Sequence, residues 1–155
     1  IQKEAISQRF AVEVLMQHER RIAARRGHPL LGAKSIDDLV GANWVRPSLN
    51  DRSAESDLEE MFKVRNLPPP KVAVESSSML SILLTVANTD LLTFLPDQMF
   101  QLMPIAQFCA PMENLPSLPS DPICLVHRLG LPLTPLAERL SDLVRKAAQN
   151  HALNL

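Results

Sequence analysis

Residues 72–96, VAVESSSMLSILLTVANTDLLTFLP, read in quick succession as strand, polar turn, apolar helix, strand and turn. That is one βαβ unit. Its corner, Glu75-Ser76-Ser77-Ser78, sets hydroxyls and the open N–H groups of a helix start against the carboxyl end of a strand. Small anions and hydroxylated metabolites are held at such corners. The helix, residues 77–87, is apolar nearly all round, with Met79, Leu80, Ile82, Leu83, Leu84 and Val86, so it must be covered on more than one side.

The flanking sequence extends the alternation. Residues 10–16 and 19–26 read as strands, the second followed by the turn Gly27-His28-Pro29. Ser35 caps a short helix with Asp38 as its capping-box partner. Residues 43–46 form a short strand around Trp44 and Val45, and residues 47–50 a loop. A helix from residue 51 or 53 to 66 then carries Leu58, Met61, Phe62 and Arg65 at helical spacing until Pro68-Pro69-Pro70 stops it. Beyond the strands at 71–75 and 91–95 come a short helix at 96–103, an irregular proline-rich connection at 107–120, a strand at 123–128 and a terminal helix opened by Thr134-Pro135. Leu136, Leu140, Leu143 and Val144 share one face of that last helix, while Glu138, Arg139, Asp142 and Arg145 are expected to face water. Strands alternating with helices imply an α/β layer with a largely parallel sheet.

A chain of 155 residues can bury a proper core in one or two lobes. Only 4% of it is aromatic, with no tyrosine, which argues against a stacking platform for single-stranded nucleic acid. With 16 basic and 17 acidic residues the net charge is −1, so these residues alone are not expected to bind duplex DNA. The longest strongly apolar stretch, residues 79–87, is far too short to span a bilayer, and IQKEAISQRF has no signal-peptide core; a cytoplasmic location is expected. Cys109 and Cys124 form no C-x-x-C motif and read as reduced structural thiols. His18, His28, His127 and His151 lack zinc-binding spacing, no G-x-S-x-G elbow occurs, and four scattered glycines make no phosphate loop. Neither an enzyme nor a metal nor a cofactor is expected.

Four stretches, VLMQHERRIAARRGHPLLG (14–32), SIDDLVGANWVRPS (35–48), VESSSMLSILLTVANTDLLTFLP (74–96) and PICLVHRLGLPLTPLAERLSDLVRKA (122–147), follow one another in an order that resembles the effector-binding domain of LysR-type transcriptional regulators. One departure is the turn Ala87-Asn88-Thr89-Asp90, where members of that family usually carry glycines; Asn and Asp tolerate left-handed backbone, so the turn is expected to survive. The resemblance implies an α/β fold of the periplasmic-binding-protein type 2, a mostly parallel sheet flanked by helices, with one complete lobe and part of another. Residues 1–28 would supply strands of the first lobe and a first hinge crossing, residues 29–121 the second, effector-binding lobe, and residues 122–155 the return hinge strand and the C-terminal helix of the first lobe. The front of the first lobe and the winged helix-turn-helix that precedes it in the family would be absent, and DNA would be reached only through that domain.

The same resemblance implies a function: a small effector, in the expected case an organic anion, is bound in a cleft between the lobes and coupled to oligomer geometry and transcription control. It also implies a homodimer or homotetramer formed through the helix at 77–87. The alternative is a solute-binding or ligand-carrying module with no transcriptional role. The effector-binding candidates are Ser76, Ser77 and Ser78 at the corner; Arg46, Ser48, Asn50 and Arg52 in the loop after the preceding strand; and the backbone at Pro96. An arginine can clamp a carboxylate through two parallel bonds. The plainer alternatives stand beside each: a serine that only caps its helix, worth about 1 kcal/mol, and arginines paired with Glu55 or Asp57. Phe94 reads as core packing. The pairs Arg20-Arg21 and Arg25-Arg26 lie on a strand, where neighbours point to opposite faces, and read as a solvated edge.

Overall fold

Trp44 and Val45, neighbours on one short strand, are both buried, and each belongs to a different apolar cluster. Alternation along a strand sends them to opposite faces, so this sheet needs cover on both sides. The computed structural model that shows this describes residues 9–48 and 52–152, and the side chains of residues 9–48 and 57–150. The chain forms two units, Ile1–His18 with Ser120–Leu155, and Glu19–Pro119.

The larger unit holds a six-stranded sheet. Strands β2 (Glu19–Arg25), β3 (Asn43–Pro47), β4 (Lys71–Ser76), β5 (Leu91–Pro96) and β6 (Cys109–Pro111) lie in the order β4-β3-β5-β2-β6, and the two-residue β7 (Leu118–Pro119) also pairs with β2. β3 runs parallel to β4 and β5, as a βαβ unit requires, but β2 is antiparallel to β5, β6 and β7. The sheet is therefore mixed but mostly parallel in strand direction, as the alternation of elements implies: β3, β4, β5, β6 and β7 run one way and β2 alone runs against them. β2, grouped from sequence with strands of the first lobe, is laddered to β5 and lies inside the larger unit.

Two helices cover the faces. The helix α1 (Arg52–Lys63) brings Leu58, Met61 and Phe62 down on Trp44, Leu92, Ile22 and Ala24, with Ile36 and Leu39 completing the cluster. The Trp44 indole stacks on Phe94 at 5.6 Å and takes Phe62 edge-on at 6.2 Å, the two arrangements that ring quadrupoles favour. Phe94 is packing, as expected. Leu67 N–H closes α1 on Phe62 O at 3.0 Å while Asn66 turns left-handed at φ 54°. On the other face α2 (Met79–Asn88) buries Ile82 and Val86 against Val45 and Cys109. The capping box at Ser35 is present: Asp38 accepts from the Ser35 N–H at 3.1 Å, and Ser35 opens the 3-10 turn Ile36–Leu39.

The turn from α2 to β5 survives by a different device from the one expected. No residue of it takes positive φ; Thr89 is extended (φ −138°, ψ 174°), its hydroxyl donates to Thr85 O at 2.7 Å, and Leu91 N–H donates to that hydroxyl at 3.3 Å. The side-chain oxygen does what a left-handed residue does elsewhere, capping the helix end and starting the strand. After β5, the short helix expected at 96–103 is a 3-10 turn, Asp97–Gln101, and a second helix, α3 (Met103–Phe108), follows it. Pro104 in the first turn of α3 is compatible with a helix start. The connection read as irregular at 107–120 thus contains the end of α3, β6 and β7.

In the smaller unit β1 (Phe10–Met16) pairs antiparallel with β8 (Ile123–Arg128), and α4 (Pro135–Ala152) is tied to β1 by Arg145, which donates to both carboxylate oxygens of Glu13 at 2.9–3.0 Å. Among the described residues no helix is long and apolar enough to cross a membrane.

Candidate functional site

The parallel register fixes where the polar residues meet. Pro47 is paired with Ser76, Ser48 N–H donates to Ser76 O at 2.8 Å, and Arg20 is paired with Pro96. Because β2 runs antiparallel to β5, its first residues lie at the same sheet end as the last residues of β3, β4 and β5. Ser48, Ser76, Ser77, Ser78 and Pro96 therefore come together at the carboxyl end of one sheet. Asn50 lies outside the described residues, as does the side chain of Arg52.

The three serines do different things. Ser78 is the N-cap of α2, its hydroxyl accepting from Ser81 N–H at 3.3 Å. Ser76 accepts from Ser78 N–H at 3.2 Å and so bends the corner. Ser77 is exposed and has no hydrogen-bond partner among the described residues. The capping alternative thus accounts for one serine, a turn for the second, and neither for the third. α2 begins on extended backbone at Ser78 (φ −105°, ψ 118°), which leaves first-turn N–H groups facing the open end of the sheet.

Arg46 is not an unencumbered clamp. Its guanidinium is tied to Glu75 and donates to Glu59 on α1 at 3.5 Å, with 16% of the side chain exposed. Two carboxylates already balance its charge. Of the arginines treated as a solvated edge, Arg20 is nothing of the kind: its side chain is 15% exposed, bonded to Asp57, and 6.0 Å from the Phe94 ring centroid. Arg21, on the opposite face, lies against Asp97 with Nε 2.7 Å from Oδ1. Sequence reasoning split the two residues correctly and missed that both lie at the site end. Only the antiparallel pairing of β2 with β5 puts them there, and that pairing spans about seventy residues of chain, far beyond any local pattern.

Both cysteines are free; Cys109 is buried and burial pushes its thiol up from the ordinary range. His28 is buried in its turn: its Nδ1 accepts from Leu30 N–H at 3.0 Å, which leaves the proton on Nε2, 3.3 Å from Asp90 O. That makes it a structural turn residue, as its place in the sequence suggested.

A family model described as the LysR substrate binding domain matches residues 3–149. The chain belongs to that family. It is an effector-binding domain of a LysR-type transcriptional regulator, in a family of regulators and not of enzymes. The HTH-type transcriptional regulator GbpR of Azospirillum brasilense is 26% identical over 142 residues, 90% of this chain and 41% of GbpR, so the chain spans about two-fifths of that relative's length. The regulatory domain of Synechocystis PCC6803 CcmR in complex with 2-PG superposes with a TM-score of 0.70 at 14% identity, over 91% of this chain and 68% of that one. The effector-binding domain of QuiR in complex with shikimate does so at 0.65 and 15%, over 97% and 69%. These likenesses establish the α/β, periplasmic-binding-protein-like fold of the LysR effector domain.

Proposed function

We propose that this domain senses a small organic anion at the carboxyl end of the larger unit's sheet, with Ser48, Ser76, Ser77, Ser78 and the backbone at Pro96 as its contacts. Arg46, at the end of β3, remains a candidate contact, as do Asn50 and Arg52 from the sequence. The observation that carries the reading is the serine corner: a ten-residue helix starts where two parallel strands end, and Ser77 is left over once capping and turn are accounted for. Helix-start N–H groups and hydroxyls offer donors and partial positive potential, the complement of a carboxylate, sulfonate or phosphate. Shikimate carries a carboxylate, which fits the same class. Occupancy shifts a population: the effector favours one conformation only by as much as it prefers it, and the oligomer passes that preference to transcription in the cytoplasm.

The partner in that oligomer is a second copy of the chain, seated on the outer face of α2. There Leu80 and Leu84 are exposed, and with Leu83, Ala87, Pro104, Ile105 and Phe108 they line a wholly apolar groove of about 180 Å³. Replacing Ser77 and Ser78 together by Ala in the full-length regulator tests the site. Effector response should fall while stability drops by only about 1 kcal/mol, the worth of one cap. An unchanged effector affinity in that double variant would reduce the serines to structural roles.

A further inference from the structure

We propose that Arg21 is the charge-recognition residue of this anion site and Asp97 its built-in competitor, an inference that rests on the serine-corner reading and deepens it. Three arginines approach this end of the sheet with described side chains: Arg20, Arg21 and Arg46. Arg20 points to the α1 face, where Asp57 and the carbonyl of Pro119 accept from its Nη2 and the Phe94 ring lies beneath it, although its buried Nε, like that of Arg21, has no partner among the described residues. Arg46 is bound to Glu59 and Glu75. Arg21 differs in face and in partner.

The face follows from register. Arg25 is paired with Cys109, and Cys109 packs with Ile82 and Val86 of α2. Residues two apart on a strand share a side, so Arg21, Ala23 and Arg25 lie on the face that α2 covers. Arg21 is paired with Leu95, two residues before Asp97, at the sheet end where α2 begins. Charge and helix start thus share one end of one face, with β5 and β3 between the strand of Arg21 and the strand that leads into the serine corner.

The partner is a poor one. Arg21 Nε stands 2.7 Å from Asp97 Oδ1, yet this buried nitrogen makes no aligned hydrogen bond among the described residues. Proximity is met and direction is not. Both side chains are about a third exposed, 31% and 37%, where water screens an ion pair strongly. A carboxylate or phosphate on the effector has the same oxygens as Asp97 without its tether, and can present two of them to the guanidinium fork. Binding is then an exchange in which Arg21 leaves Asp97 for the ligand.

Exchange makes a prediction that a structural ion pair does not. If the pair only supports the fold, Arg21→Gln and Asp97→Asn act in the same direction. If Arg21 recognises the anion, the first weakens binding and the second strengthens it. The probes are sodium sulfate and shikimate, titrated at constant ionic strength into the 155-residue chain while the amide resonances of Ser77 and Ser78 are followed. Arg21→Gln should lose about tenfold in affinity and Arg21→Lys less, since a point charge keeps attraction without the fork. Asp97→Asn should gain about threefold by removing one nearby like charge, and this arm stands even if Arg21→Gln folds poorly. Wild-type shifts at Ser77 and Ser78 with equal affinity in Arg21→Gln, or weakening in both variants, overturn the assignment of Arg21 and leave the serine site in place. No shift at either serine in the wild type with either anion overturns both.

Discussion

Trp44 carries more of the larger unit's stability than any sequence pattern announces. It is fully buried between Phe62 and Phe94, and its Nε1–H has no partner among the described residues. A buried donor left unmet costs about 1–3 kcal/mol, so the stacking and the burial of the large ring must exceed that. Trp44→Ala should therefore destabilise by about 3–5 kcal/mol, measurable as a lower urea midpoint. The cysteines give a second residue-scale outcome. Cys109 is buried with its thiol held neutral by desolvation, while Cys124 is only half-buried. A thiol reagent at pH 8 should label one equivalent quickly, at Cys124, and the second only on unfolding; equal rates at both would show that Cys109 is not enclosed as described.

At the scale of the element, the docking of α4 on β1 is expected to respond to pH. Arg145 bonds to both oxygens of Glu13 and holds that carboxyl below its usual range. A depressed folded-state value means the contribution is present above the unfolded value, near 4.5, and is lost as pH falls through the lower folded one. Arg145 stays protonated throughout, so Glu13 sets the window. Acid titration should loosen α4 below about pH 4.5, read as a shift of its amide resonances, and Glu13→Gln should remove that shift; a variant that keeps it would place the sensitivity elsewhere. The pair is exposed and salt should weaken it. The elements themselves were largely legible: the strand, serine corner and apolar helix at 71–88, the Ser35 capping box and the opening of α4 at Thr134-Pro135 all depend on neighbours in sequence. What was not legible depends on pairing. The short strands β6 and β7 carry too few residues to show a period, and exist because β2 offers them an edge. For the same reason Arg20 and Arg21 read as solvated until β5 was placed beside β2. The turn at 87–90 misled differently: a threonine hydroxyl replaced the left-handed residue that Asn and Asp suggested.

At the scale of the whole molecule, the question is what the outward apolar surface is for. Scattered exposed leucines need no explanation, but a contiguous apolar groove marks a contact. On α4 the face predicted from sequence is real and turned outward, with Leu136, Leu140 and Leu143 all at least half exposed. On α2 the helix that is apolar nearly all round buries Ile82 and Val86 and leaves Leu80 and Leu84 to the groove shared with Phe108. A net charge of −1 offers little repulsion between copies. The chain is therefore expected to self-associate at micromolar concentration, in sedimentation velocity, with α2 at the contact. Leu80→Glu with Leu84→Glu should return it towards monomer, because a dimer would have to bury four carboxylates without partners. Both positions are already exposed, so the fold itself should be little affected and circular dichroism unchanged. A wild-type chain that sediments only as monomer would remove α2 as a contact. A double variant that still dimerises would transfer that role to the leucines of α4.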